Sequence, residues 1–218
     1  MDLLQFLREP LAQLGGMNLL AIAGGLLGTM LFVPLCMSLW NRSVEQNLAT
    51  FALWGVLDGM AAYSTFTAGG NYLLPTLYTL GSVAVITCIV LRSRKIKWSW
   101  VETFCSFMVV VCVVTWMNWE HQQLVSIPYS AEQMVIILST MALAIATLPV
   151  LTDAITKPAT SAPLIYLGYT AANAISMMAG SSWAIEERFY AGTSTIATAL
   201  VFLAASRRWQ QRETALAN

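Results

Sequence analysis

The sequence holds few groups able to do chemistry, which makes each of them informative. Asp58 stands in the stretch Trp54-Gly-Val-Leu-Asp58-Gly59, inside a long apolar run. A carboxylate at membrane depth costs about 2.5–3.5 kcal/mol on insertion scales and is expected to face the interior of a helix bundle. Trp54 and Asp58 are four residues apart and share one face of a helix. A ring can stack on a ligand while a neighbouring acid fixes its orientation. Asp58 could carry a coupling proton, neutralise a cationic ligand, or tie two helices together through a buried hydrogen bond. Tyr169 and Asn173 repeat the arrangement, a ring followed four residues later by an amide.

Other chemistries lack their residues. The single histidine, His121, and the four cysteines, Cys36, Cys88, Cys105 and Cys112, show no metal-ligand spacing. No metal and no cofactor is expected. Cys105 and Cys112 lie two helical turns apart, too far for a disulfide, and the cysteines read as small apolar fillers. No nucleophile–base–acid set is assembled, so no catalytic residue is assigned and an enzyme is not expected. Eleven basic and eleven acidic residues cancel, leaving no field to attract a nucleic acid.

These groups must be positioned by membrane helices. Apolar residues make up 57% of the 218 residues and charged ones 10%, against about 25% charge in soluble domains. Crossing the hydrocarbon layer takes about 20 mainly apolar residues. Seven runs qualify, at 16–35, 48–68, 72–91, 99–119, 132–152, 162–182 and 186–206. The fold class is therefore all-α and polytopic. The runs are too long and uniform for barrel strands. Residues 1–15, with leucines at helical spacing and no basic leader, read as an interfacial segment rather than a secretory signal.

Basic residues set the orientation. With the N-terminus outside, Arg42, Arg92, Arg94, Lys95, Lys97, Lys157, Arg207, Arg208 and Arg212 lie inside, nine of the eleven. Only Arg8 and Arg188 lie outside, among acidic loops. The expectation is N-outside and C-inside in the cytoplasmic membrane. Trp98 and Trp100 at one end of the fourth span, and Trp116 and Trp119 at the other, suit headgroup anchoring. Asp153 and Lys157 are spaced to pair on one helix face. Glu102, Glu120 and His121 are expected at the membrane surface.

An internal repeat links these observations. An offset of 115 places Pro34 on Pro149, Arg42 on Lys157, Trp54 on Tyr169, Asp58 on Asn173, Thr79 on Ser194 and Arg92 on Arg207. Asn18 falls on Gln133. The implied organisation is an N-terminal segment 1–15, a first triple-helix repeat 16–92, a linker helix 93–122, a second repeat 123–208 and a cytoplasmic tail 209–218. Such a 3+1+3 arrangement makes the two repeats parallel, a transporter design with the site between the halves. Trp54, Asp58, Tyr169 and Asn173, joined by Tyr78, Thr79 and Ser194, are the expected substrate-binding residues, with Asp58 the expected proton-coupling group. Pro34 and Pro149 kink their helices at matching places and suit hinges.

The layout and two loops resemble the SWEET and PQ-loop transporter superfamily. The first loop reads Pro34-Leu-Cys-Met-Ser-Leu-Trp-Asn-Arg-Ser-Val-Glu and is followed by an aromatic-rich span. The second, Thr156-Lys157-Pro158-Ala159-Thr160-Ser161-Ala162-Pro163, is similar to the loop between spans five and six of SWEETs. Pro34-Leu35 and Pro149-Val150 replace the family's Pro-Gln dipeptide, and neither span three nor span seven carries the sugar-contacting asparagine. The resemblance implies a divergent member that keeps the fold without implying a sugar. It implies a carrier of a small polar metabolite working by alternating access, with membrane lipid and protons as further partners and a homo-oligomer compatible. The alternative is a receptor or sensor that binds a small ligand without transport, as in KDEL receptors of similar fold. The spans hold no buried basic cluster for a peptide carboxylate, and the tail after Arg208 is short for an output domain.

Overall fold

The computed structural model describes residues 18–41, 48–92, 100–119, 129–156 and 163–217. Among these, every regular element is a helix: α1 Leu19–Trp40, α2 Leu48–Thr67, α3 Leu73–Arg92, α4 Trp100–Trp119, α5 Ala131–Ala146, α6 Leu148–Thr156, α7 Pro163–Met178 and α8 Ile185–Ala217. The helices overlap the seven expected runs without sharing all their bounds, and the fifth run is divided into α5 and α6. Residues expected as a tail continue α8 as far as Ala217.

Four segments are long and apolar enough to cross a membrane: Leu19–Trp40, Leu73–Arg92, Ala131–Thr156 and Ile185–Arg207. They mark an integral membrane protein. Side chains turned outward agree, with Met30, Val33, Leu80, Val90 and Ile196 all more than half exposed. A water-facing surface does not present so many large apolar groups, whereas lipid does.

Helix starts are set by local chemistry. Asn18 caps α1 by accepting from the Leu20 backbone N–H. Ser130 and Gln133 form a reciprocal capping box at the start of α5. The two prolines behave differently. Pro34 lies within the unbroken α1, while Pro149 is the second residue of α6, just after α5 is capped at Thr147. A proline in a first turn forfeits no helical hydrogen bond, because that N–H has no partner in any case.

Helix α3 packs against both α1 and α2, and α8 packs against α5, α6 and α7. Between these groups, α1 meets α7 and α2 meets α5, while α4 lies against α5 and α2. At one end Arg92 donates to the Trp40 carbonyl at 3.1 Å and stacks over its ring. At the other, Asn18 donates to the Ala179 carbonyl and Gln133 to the Glu186 carboxylate. The starts of α1, α3, α5 and α8 thus share the Asn18 end, and α1 and α3 finish together at the Arg92 end.

Apolar burial gives helices little reason to associate inside lipid, so close packing has to supply it. Glycines allow this here. A Cβ at Gly24 would sit 2.9 Å from the Ala172 carbonyl oxygen on α7, and one at Gly28 would meet the Tyr78 ring on α3. A Cβ at Gly81 would collide with the Phe32 ring. Phe32 and Tyr78 therefore each lie over a glycine of the facing helix. The connection from α2 to α3 turns at Gly69, whose φ of 75° is left-handed.

Several expectations lie outside the described residues: the segment 1–15, Arg42, Arg94, Lys95, Lys97, Trp98, Glu120, His121, Lys157 and most of the second loop. The side chains of Glu102, Cys105, Cys112, Trp116 and Trp119 are outside them too. Trp100 is described and is exposed at the start of α4. Cys36 and Cys88 are free thiols.

Candidate functional site

A cavity of about 80 Å³ opens where α1, α2, α3, α5, α7 and α8 converge. One water needs roughly 10–15 Å³ of such space, so several waters or a small ligand fit. Trp54, Asp58, Tyr169 and Asn173 all line it, and so do Tyr78 and Ser194. Thr79 is not among the lining residues. Its hydroxyl donates to the Pro75 carbonyl within α3, while its neighbour Tyr78 turns inward.

Further lining residues fall at the same sequence offset. Phe51 and Tyr166 face the cavity at an offset of 115, as do Phe32 and Thr147. On the third helix of each group the correspondence shifts by one residue. Tyr78 matches Ser194 and Ser82 matches Thr198, both at an offset of 116. Thr79 was aligned on Ser194 at 115, which is why the pairing selected the residue beside the one that faces the cavity.

The cavity wall is mainly apolar, with a few polar side chains set into or behind it. The Tyr190 hydroxyl donates to Asp58 Oδ1 at 2.6 Å, joining α8 to α2 in a buried contact. Asn173 Nδ2 points to the Thr198 hydroxyl at 3.4 Å, and Thr170 donates to that same hydroxyl at 3.1 Å. Thr198 in turn donates to the Ser194 carbonyl. This chain fixes the Asn173 amide plane and leaves its oxygen turned elsewhere. Tyr169 Oη and Trp54 Nε1 are buried with no hydrogen-bond partner among the described residues, whereas Tyr78 pairs with Asn173 and Ser194 with Tyr190 through their side chains. All of these residues except Tyr190 line the cavity.

Rings form most of the wall. Phe32, Tyr78 and Tyr169 meet edge to face in a three-way cluster, with centroids 5.4–5.8 Å apart. Trp54 packs on Phe51 at 5.0 Å. Aromatic pairs prefer these tilted arrangements, which place ring edges against ring faces. Among the described residues, the lining contains one carboxylate, Asp58, and no lysine, arginine or histidine.

No family model, no curated protein and no solved structure matches the chain. The residues must therefore speak for themselves. Among the described residues, no group of three or more His, Cys, Asp or Glu is placed to hold a metal. The arrangement can bind and orient a small molecule through hydroxyls, an amide, an indole N–H and one acid, against aromatic faces.

Tyr190, the hydrogen-bond partner of Asp58, is not among the residues expected from the sequence. It has no polar or aromatic counterpart in the first half, where the matching positions are Leu74 and Pro75. Phe51 and Tyr166 carried a usable signal, since both are aromatic at the common offset.

Proposed function

We propose that the protein is a membrane carrier for a small polar metabolite. One observation carries the reading: six helices close around a cavity whose wall is mainly apolar and aromatic but holds Asp58, Asn173, Ser82, Ser194 and Thr198. Ligand pockets are typically of this kind, with apolar and aromatic walls and a few placed polar groups that fix orientation. The cavity lies between two groups of helices, with α3 inside the first and α8 inside the second. That packing order, and the equivalence of lining positions, support two parallel triple-helix repeats joined by α4, the 3+1+3 plan of the SWEET and PQ-loop superfamily. Seven spans with N-outside and C-inside orientation in the cytoplasmic membrane belong to the same reading.

Alternating access finds support in the contacts at the Asn18 end. Asn18 bonds Ala179, Asn71 bonds Ser176 through both carbonyl and hydroxyl, and Tyr190 bonds Asp58. Each joins one half to the other at or beyond the level of Asp58. The lining residues on α1, α2, α5 and α7 lie from mid-helix toward the Arg92 end. The arrangement has the form of a carrier sealed at its outer end, with Pro34 and the Thr147–Pro149 break as hinge elements and Asp58 as the proton-coupling group.

Uptake by proteoliposomes of a panel of sugars, amino acids and amines at two pH values tests this. Saturable uptake of a panel member supports the carrier. Saturable binding with no uptake would reject it in favour of a receptor that shares the fold.

A further inference from the structure

The composition of the cavity wall carries a statement about which guest it takes. Among the described residues its single carboxylate is Asp58, and no lysine, arginine or histidine lines it. Trp54, Tyr78 and Tyr169 present rings to the same space, backed by Phe32 and Phe51. Ring faces are the negative ends of aromatic quadrupoles and attract cations within about 6 Å, best when water is excluded. An anion would meet a carboxylate and ring faces with no positive partner. A zwitterionic amino acid would leave its own carboxylate uncompensated, which is expensive in a buried site.

We propose that the cavity selects small organic cations, a protonated amine or quaternary ammonium head without a carboxylate. This rests on the carrier reading and narrows it. The head sits among the rings of Trp54, Tyr78 and Tyr169 with Asp58 as its counter-charge. Tyr190 steadies Asp58 through its 2.6 Å hydrogen bond, so the acid is held in place before the guest arrives. Guest and acid together are neutral, which offsets the cost of keeping a charge at membrane depth.

Choline and its uncharged carbon isostere, 3,3-dimethylbutan-1-ol, form the probe pair, with glucose and alanine as neutral and zwitterionic controls. Binding is read on purified protein by the ligand-induced rise in melting temperature, and transport by radiolabel uptake into proteoliposomes. The expected result is saturable choline binding and uptake, with the isostere competing at least about tenfold more weakly. Asp58→Asn should weaken choline by more than about tenfold while the unliganded protein still elutes as a single folded species. Tyr169→Phe should keep choline binding and Tyr169→Leu should lose it, a contrast that stands even if the Asp58 variant fails to fold. Uptake of glucose or alanine without choline would overturn the substrate class and leave the carrier standing. Choline binding without uptake of any probe would keep the ligand class and remove the carrier. Equal competition by the isostere, or no binding of any probe, would overturn the proposal.

Discussion

Tyr190 on α8 donates to Asp58 on α2 across 2.6 Å, and both side chains are almost wholly buried. This contact joins two segments 132 residues apart in sequence. Tyr190→Phe removes the donor and leaves the acid without it. The expected cost is about 1–3 kcal/mol, the range for orphaning a buried polar group. Asp58→Asn keeps an acceptor for Tyr190 and should cost less than Asp58→Ala. Denaturation of the three variants in detergent gives the order, and equal losses would show that the hydrogen bond contributes nothing.

Asp58→Asn also separates structural from proton-coupling roles. The variant should fold, and uptake across a pH series should become flat where the parent's is sloped. Retention of the parent's pH dependence in Asp58→Asn would remove Asp58 from the coupling step.

The glycines predict a contrast. Gly81→Ala places a Cβ into the Phe32 ring and should cost about 1–3 kcal/mol, the usual range for overpacking. Gly59→Ala meets only Thr79 at 3.7 Å, an ordinary contact, and gains helix propensity. It should be neutral or stabilising. Melting curves that rank the two the other way would contradict the packing described for α1 and α3.

At the Asn18 end, Asn71→Ala removes hydrogen bonds to the Ser176 carbonyl and hydroxyl. If these contacts hold the outer end closed, a cysteine introduced at the buried Ser64 should react several-fold faster with an impermeant maleimide once Asn71 is replaced. Ser64 lies close to the end of α2, next to the turn at Gly69. An unchanged labelling rate would argue against a latch there.

The paired prolines allow a sharper test than their sequence positions did. Pro149 opens α6 and has no helical hydrogen bond to restore, so Pro149→Ala should change stability by less than about 1 kcal/mol. Pro34→Ala restores an interior bond and should straighten or stabilise α1. Full transport by the double variant would reject hinging at these positions.

Helix positions were legible because long apolar runs have a single economical fate in lipid, although only four of the described segments are long and apolar enough to cross it. Trp54, Asp58, Tyr169 and Asn173 were legible because a polar group four residues from a ring marks a helix face whether or not its neighbours are known. Tyr190 was not, since its importance lies in a partner far along the chain and no repeat mate announces it. Tyr78 and Thr79 were both expected at the site, and the offset of 115 sets Thr79 on Ser194 because a single offset cannot register an extra residue between helices. The division at Thr147 was hidden for a related reason. Proline inside a helix and proline in a first turn look alike in sequence, and only the cap at Thr147 separates them.

Asp58 and Asn173 occupy equivalent places at the offset of 115, yet one is an acid and the other an amide. The two positions differ in charge. If the guest is a cation, its head settles toward α2 and its body toward α7. The one carboxylate in the described wall then gives the chamber a compass.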